Sequence, residues 1–180
     1  MAKTLIMYSS NYGTTKKYAE WIASELNGDI FDIKAVIQSS LKNYNTIIVG
    51  GGLYAGNIKG INIIVKNYET LKNKKLVLFT CGLADYSKTN NIEAINTRLK
   101  KIIPDYIWQS IKIFYLRGGI DYEKLSFKHK IMMGLLNKMI LRKGPEKMND
   151  EDKEFVETYG KPLDFTDKNS ITEIIKYCKE

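Results

Sequence analysis

The sequence predicts an α/β fold in which helices are wound on both faces of a five-stranded parallel sheet. Three observations predict it. Short β-branched or apolar runs alternate with amphipathic stretches of helical period, the pattern of βαβ units. The runs at residues 46–49 and 76–79 carry no charge, as strands buried on both faces require. Four runs end in glycine or hydroxyl residues, at 9–15, 50–56, 80–85 and 118–121, and ligands of open parallel sheets bind at such carboxyl ends.

The elements follow in order. Residues 3–8 read as a short buried strand. Residues 13–26 read as a helix, because Tyr18, Ile22 and Leu26 fall four apart and Asn27-Gly28 supplies a stop. Residues 29–34 alternate like a strand, and residues 36–41 suit a short helix. Residues 46–49 form a buried strand that opens into a loop at Gly50, Gly51 and Gly52. A helix over 60–71 places Ile61, Ile64, Val65, Tyr68 and Leu71 on one side. Residues 75–80 form the next strand, ending at Cys81-Gly82. Thr89 or Asn90 caps a helix carrying Ile92, Ile95, Leu99, Ile102 and Ile103, which Pro104 stops. Residues 111–116 form the fifth strand and residues 170–178 a last helix.

Residues 119–162 are additional. They hold a Met-rich helix at about 126–141, a break at Lys143-Gly144-Pro145 and an acidic helix at about 149–159. Forty-odd residues are few for an independent core, so the expectation is one domain, residues 1–180, with a basic helical insertion. Residues 163–165 are expected to return the chain to the sheet edge.

Composition removes several function classes. The 180 residues are 44% apolar, enough to fill a core. No stretch approaches the ~20 apolar residues of a membrane-spanning helix, and Met1-Ala2-Lys3 leads into a strand, so a cytoplasmic protein is expected. Cys81, Cys178 and the single His129 leave no material for a disulfide framework, a metal site or histidine-dependent hydrolysis. Both cysteines are expected to be free thiols. Redox chemistry would have to come from a bound cofactor. A net charge of +8 raises nucleic acid as a partner, but no recognition motif or aromatic platform accompanies the lysines, and none is expected.

The first strand end is the most informative. Ser9, Ser10, Thr14 and Thr15 bring four small hydroxyls around Gly13 at the start of a helix. Free N–H groups and the positive end of the helix dipole make such a loop an anion site. Neither the G-x-x-x-x-G-K-[ST] nor the G-x-G-x-x-G spacing is present, so the expected ligand is a phosphate monoester rather than a triphosphate or dinucleotide.

Ser10-Asn11-Tyr12-Gly13-Thr14-Thr15 resembles the [ST]-x-[ST]-G-x-T phosphate loop of the flavodoxin family, with Tyr12 where Thr is usual and Thr14 where Asn is usual. Within that family the sequence is similar to the menaquinone-dependent protoporphyrinogen oxidase type over nearly its whole length. The similarity includes residues 4–10, the glycine run 48–56, the turn 117–122 and the basic helix 127–133. It implies a flavodoxin-like sheet in the order 2-1-3-4-5 and FMN as cofactor. The phosphate would be held by Ser10, Asn11, Tyr12, Gly13, Thr14 and Thr15. The ring would be bordered by Gly51, Gly52, Leu53, Tyr54, Ala55, Gly56, Cys81, Gly82, Leu83, Gly118, Gly119 and Asp121. Tyr54 would lie against one flavin face, with Tyr86 or Tyr122 on the other. The resemblance assigns no catalytic side chain.

Three readings remain open at this point. The first is an FMN oxidoreductase acting on protoporphyrinogen IX with a quinone acceptor. The second is an FMN electron carrier for a redox partner protein, and the third a flavodoxin-like module without flavin. Carrier flavodoxins are typically acidic, whereas here residues 117–148 hold eight Lys or Arg against three acids. A basic, Met-rich helix suits the propionates of a porphyrin or peripheral contact with an anionic membrane surface on its inner face. In the alternative, Ile131, Leu135 and Met139, with Met132, Leu136 and Ile140, pack onto the sheet and the lysines form a solvated rim.

Overall fold

The computed structural model describes residues 3–54 and 57–180. Ala55 and Gly56, both expected at the site, lie outside the described residues. The chain forms two compact units, one of residues 1–118 with 165–180 and one of residues 119–164.

The first unit is built on β1 (Thr4–Ser9), β2 (Asp29–Asp32), β3 (Thr46–Tyr54), β4 (Lys75–Gly82) and β5 (Ile111–Arg117). These strands are parallel and lie in the order β2-β1-β3-β4-β5, the order 2-1-3-4-5 that was expected. The helices along the chain are α1 (Thr14–Leu26), α2 (Asn62–Lys66), α3 (Tyr68–Leu71), α4 (Thr89–Leu99), α5 (Asp105–Trp108), α6 (Phe127–Leu141), α7 (Asp150–Thr158) and α8 (Thr172–Lys179).

Strand alternation splits the core into two layers. Leu5, Met7, Ile47, Val49, Leu76 and Leu78 face one side and pack with residues of α2, α3, α4 and α5 such as Ile64, Leu71, Leu99 and Ile107. Ile6, Ile48, Val77 and Phe79 face the other side and pack with Tyr18, Ile22 and Ile174 of α1 and α8. Burying such a side chain contributes roughly 1.5–3 kcal/mol, so both layers are needed to hold the sheet. The register pairs Ser9 with Gly51, Gly52 with Cys81 and Gly82 with Arg117, which brings the carboxyl ends into line. The order reverses at β1, so the crevice for a ligand opens between the ends of β1 and β3.

Several elements differ from the sequence expectation. β2 stops at Asp32, because its carboxylate accepts the Lys34 N–H at 2.9 Å and turns the chain into a 3₁₀ helix. The short helix expected at 36–41 is instead a 3₁₀ helix at Gln38–Asn43. The helix expected over 60–71 is broken at Asn67, whose side-chain amide donates to the Ile63 carbonyl at 2.8 Å and competes with the helical ladder. α4 has Lys88 as its N-cap rather than Thr89 or Asn90, and it ends at Leu99. Ile102 and Ile103 follow in a turn on the Leu99 carbonyl, and α5 begins directly after Pro104. β3 does not open at its glycines but runs on to Tyr54, because Gly50, Gly51 and Gly52 pair with Phe79, Thr80 and Cys81.

The chain leaves the first unit after Gly118 and re-enters it at Phe165, and both points are fastened. Tyr18, fully buried in α1, donates its hydroxyl to the Arg117 carbonyl at 2.7 Å and accepts the Asp167 N–H at 3.2 Å. Phe165 donates its N–H to the Gly118 carbonyl at 3.1 Å, and the Arg117 guanidinium stacks 3.7 Å above the Phe165 ring.

The second unit holds α6, α7 and a two-residue antiparallel ladder. Leu163 and Asp164 pair with Ile120 and Gly119 there, not with the edge of the parallel sheet as expected. Asn149 caps α7 in a reciprocal capping box with Asp152. The Lys143 ammonium lies 2.7 Å from the Asp152 carboxylate and holds that carboxyl below its usual range. Tyr159 meets Tyr122 edge-on at 5.2 Å and Phe155 at 5.9 Å. On α6, Ile140 is buried and Met132 and Leu136 are half-buried. Ile131, Leu135 and Met139 are 48%, 63% and 58% exposed.

Candidate functional site

The loop between β1 and α1 leaves the start of the helix without a side-chain cap. Gly13 is the N-cap of α1 at φ +97°, a left-handed conformation that favours glycine, and no side chain caps the helix. The first turn of α1 carries no acid. Ser10 Oγ accepts the Gly13 N–H at 3.0 Å and tightens the loop. Thr15 is fully buried, yet its Oγ1 has no hydrogen-bond partner; the same is true of Thr80 at the end of β4. A buried hydroxyl without a partner costs about 1–3 kcal/mol, and a phosphate oxygen in this loop would supply one.

Tyr54 lies across the same loop. Its phenol oxygen accepts the Asn11 N–H at 2.9 Å. Burial pushes its pKa up, while hydrogen bonds from the Asn11 backbone, the Ser10 side chain and the Tyr12 backbone oppose that shift. The phenol oxygen therefore draws on donors that a phosphate oxygen would also use. The ring lies 5.8 Å from that of Tyr12 and covers Gly52, where an added Cβ would come within 2.5 Å of it. Lys59 donates to Asn11 Oδ1 at 2.9 Å, with its ammonium 5.6 Å from the Tyr54 ring centroid. It brings a cation to the loop, and no motif marked it. The antiparallel pairing of Asn57–Ile58 with Leu53 and Tyr54 carries it there.

The ends of β4 and β5 close on the same region. Cys81 is buried with Sγ 3.6 Å from Thr14 Oγ1, and a Cβ on Gly118 would lie 2.8 Å and 3.2 Å from those atoms. Gly118 donates its N–H to the Gly82 carbonyl, and Arg117 Nε donates to the Leu83 carbonyl at 3.1 Å. A Cβ on Gly82 would lie 2.6 Å from the Tyr86 hydroxyl and 2.8 Å from Leu53. That hydroxyl is buried without a partner, and burial pushes its pKa up.

Of the expected site residues, Ser10 to Thr15, Gly51 to Tyr54, Cys81 to Leu83 and Gly118 thus lie at strand ends of the first unit. Gly119 and Asp121 belong to the second unit. There Gly119 pairs with Asp164, and the Lys124 ammonium at 2.7 Å holds the Asp121 carboxyl below its usual range. Tyr122 is also in that unit, against Tyr159. Cys81 and Cys178 are both free thiols, and burial pushes Cys178 up to about 11. Among the described residues no cluster of His, Cys, Asp or Glu could hold a metal ion. No helix among them is long and apolar enough to cross a membrane.

The donor set fits a flavin phosphate, with an uncapped helix start, an unpartnered Thr15 hydroxyl and two backbone N–H groups now turned to a phenol. A flavodoxin domain model matches residues 5–149. The chain is 23% identical over 144 residues to the protoporphyrinogen IX dehydrogenase [quinone] of Escherichia coli, covering 76% of this chain and 80% of that protein. It is 29% identical over 126 residues to a flavodoxin of Maridesulfovibrio salexigens, covering 63% and 86%. A solved flavodoxin from the domain Archaea aligns over 97% of this chain and 99% of its own, at 14% identity and a TM-score of 0.44. By its strand order, its first loop and the domain model that spans most of its length, the chain belongs to the flavodoxin family.

Proposed function

We propose that the protein is an FMN-dependent oxidoreductase that takes hydrogen from protoporphyrinogen IX and passes it to a quinone. The observation that carries the FMN assignment is the buried, unpartnered Thr15 hydroxyl inside an uncapped helix-start loop. It calls for a small acceptor-rich group, and a phosphate monoester is one. The reaction is supported by the similarity to protoporphyrinogen IX dehydrogenase over most of both chains. The net charge of +8 also suits a propionate-bearing substrate.

FMN supplies the redox chemistry when bound. The residues of this chain bind and orient it. Ser10, Gly13 and Thr15 hold the phosphate, with Lys59 as a nearby counter-charge. Leu53 and Tyr54 at the end of β3, and Tyr86 beside Gly82, would shield the ring. Each quinone that leaves as quinol takes two electrons and two protons, and the tetrapyrrole loses the same number.

Anaerobic turnover of purified, FMN-loaded protein with protoporphyrinogen IX and a water-soluble menaquinone analogue tests the reading. Porphyrin fluorescence should appear in step with quinol. Flavin reduction by a partner reductase, with no porphyrin formed, would assign the chain instead to electron carriers, the reading that its similarity to flavodoxin favours.

A further inference from the structure

Helix α6 presents a face of unusual composition. Phe127, Ile131, Leu135 and Met139 recur at four-residue spacing and are 80%, 48%, 63% and 58% exposed, with Leu141 at 50% beside them. Lys128, Lys138 and Arg142 are exposed on the same face, and Lys130 is exposed to one side of it. None of these four cations has an ion-pair partner among the described residues, whereas Lys124 and Lys143 are paired with Asp121 and Asp152. No acidic residue occurs between Phe127 and Leu141. The other side of the helix is covered, with Ile140 buried and Leu136 half-buried.

We propose that this face of α6 lies on the surface of an anionic lipid bilayer. Charge and layout select the occupant. On a helical wheel Lys128, Lys138 and Arg142 fall between the apolar side chains rather than around them. Lysine is depleted from the centres of protein interfaces, so a protein partner fits this layout poorly. At a lipid surface the same layout is favourable: apolar side chains enter the acyl boundary while lysine stems reach back to the headgroups. A second copy of this chain would set three unpaired cations against three more, without a carboxylate on the face to match them. The inference rests on the helix face alone and not on the flavin.

Sedimentation with vesicles of phosphatidylcholine, with and without about a third phosphatidylglycerol, tests it. The full chain should bind the anionic vesicles at low salt, bind the neutral ones far less, and release at high salt. Each cation near an anionic surface strengthens binding about fivefold, so joint Lys128→Glu, Lys138→Glu and Arg142→Glu changes should weaken it at least about a hundredfold. Ile131→Glu with Leu135→Glu should also abolish it. All five positions are exposed, so melts and FMN uptake should match the wild type, and either set decides alone if the other misfolds. The proposal is overturned if the wild type ignores anionic vesicles, binds neutral ones equally, or is matched by a folded variant. It is also overturned if ultracentrifugation shows a dimer that Ile131→Glu with Leu135→Glu dissociates.

Discussion

The backbone N–H of Asn11 donates to the phenol oxygen of Tyr54 across 2.9 Å, joining the first loop to the end of β3. The phenol and a bound anion would compete for this N–H. Any anion bound through Asn11 has to displace the phenol. Tyr54→Phe keeps the ring over Gly52 and removes the oxygen. FMN should then bind roughly two- to tenfold more tightly, with faster association, because one hydrogen bond of about 0.5–1.5 kcal/mol no longer opposes it. Stopped-flow quenching of flavin fluorescence reads both quantities, and slower association in the variant would count against the competition.

Thr15 carries a buried hydroxyl without a hydrogen-bond partner. Thr15→Ala should therefore leave the flavin-free protein as stable, or raise its stability by up to about 1 kcal/mol. It should weaken FMN at least about tenfold, since bonds to a charged phosphate are the stronger kind. Urea melts without FMN and a fluorescence titration with it give the two numbers. Loss of stability together with unchanged affinity would mean that the hydroxyl serves only the fold.

Gly50 has the Phe79 ring where its Cβ would be, at 2.2 Å. Gly50→Ala should destabilise the first unit by about 1–3 kcal/mol through overpacking. A second change, Phe79→Leu, should recover part of that loss although it is destabilising alone. A double-mutant cycle by chemical denaturation checks the coupling.

Asp152 gives the second unit a dependence on acid. Its folded carboxyl lies below the usual value, chiefly through the hydrogen bond from Lys143 and also through the Asn149 N–H. That contribution is complete above the unfolded pKa of about 3.9 and is lost as pH falls through the lower folded value. Thermal melts should therefore show wild type and Asp152→Asn differing most above about pH 5 and converging in stronger acid. A difference that stays constant across this range would show that the carboxylate's charge contributes nothing.

The parts of the fold legible in sequence are those that local physics decides. Residues 46–49 and 76–79 read as buried strands because each is covered on both faces. The loop at Ser10 to Thr15 read as an anion site because helix-start N–H groups and hydroxyls are close along the chain. Where glycine was read as punctuation, tertiary contact overruled it: Gly50 to Gly52 stay in β3 because Phe79, Thr80 and Cys81 pair with them. The break at Asn67 sits inside an unbroken apolar period, so only the side-chain bond to Ile63 reveals it. α5 is four residues long, too short to show a period. Tyr54 was named for its flavin-facing ring, but its hydroxyl bond to a loop 43 residues away is beyond any local pattern, as is the placement of Lys59 on Asn11.

The phosphate assignment for the first loop is tested most directly by titrating the flavin-free protein with FMN and, separately, with riboflavin. The two ligands share the ring and differ in the group that Ser10, Gly13 and Thr15 would hold. FMN should bind one per chain and at least about a hundredfold more tightly than riboflavin, the worth of two or more hydrogen bonds to a charged group. Equal affinities would contradict the assignment.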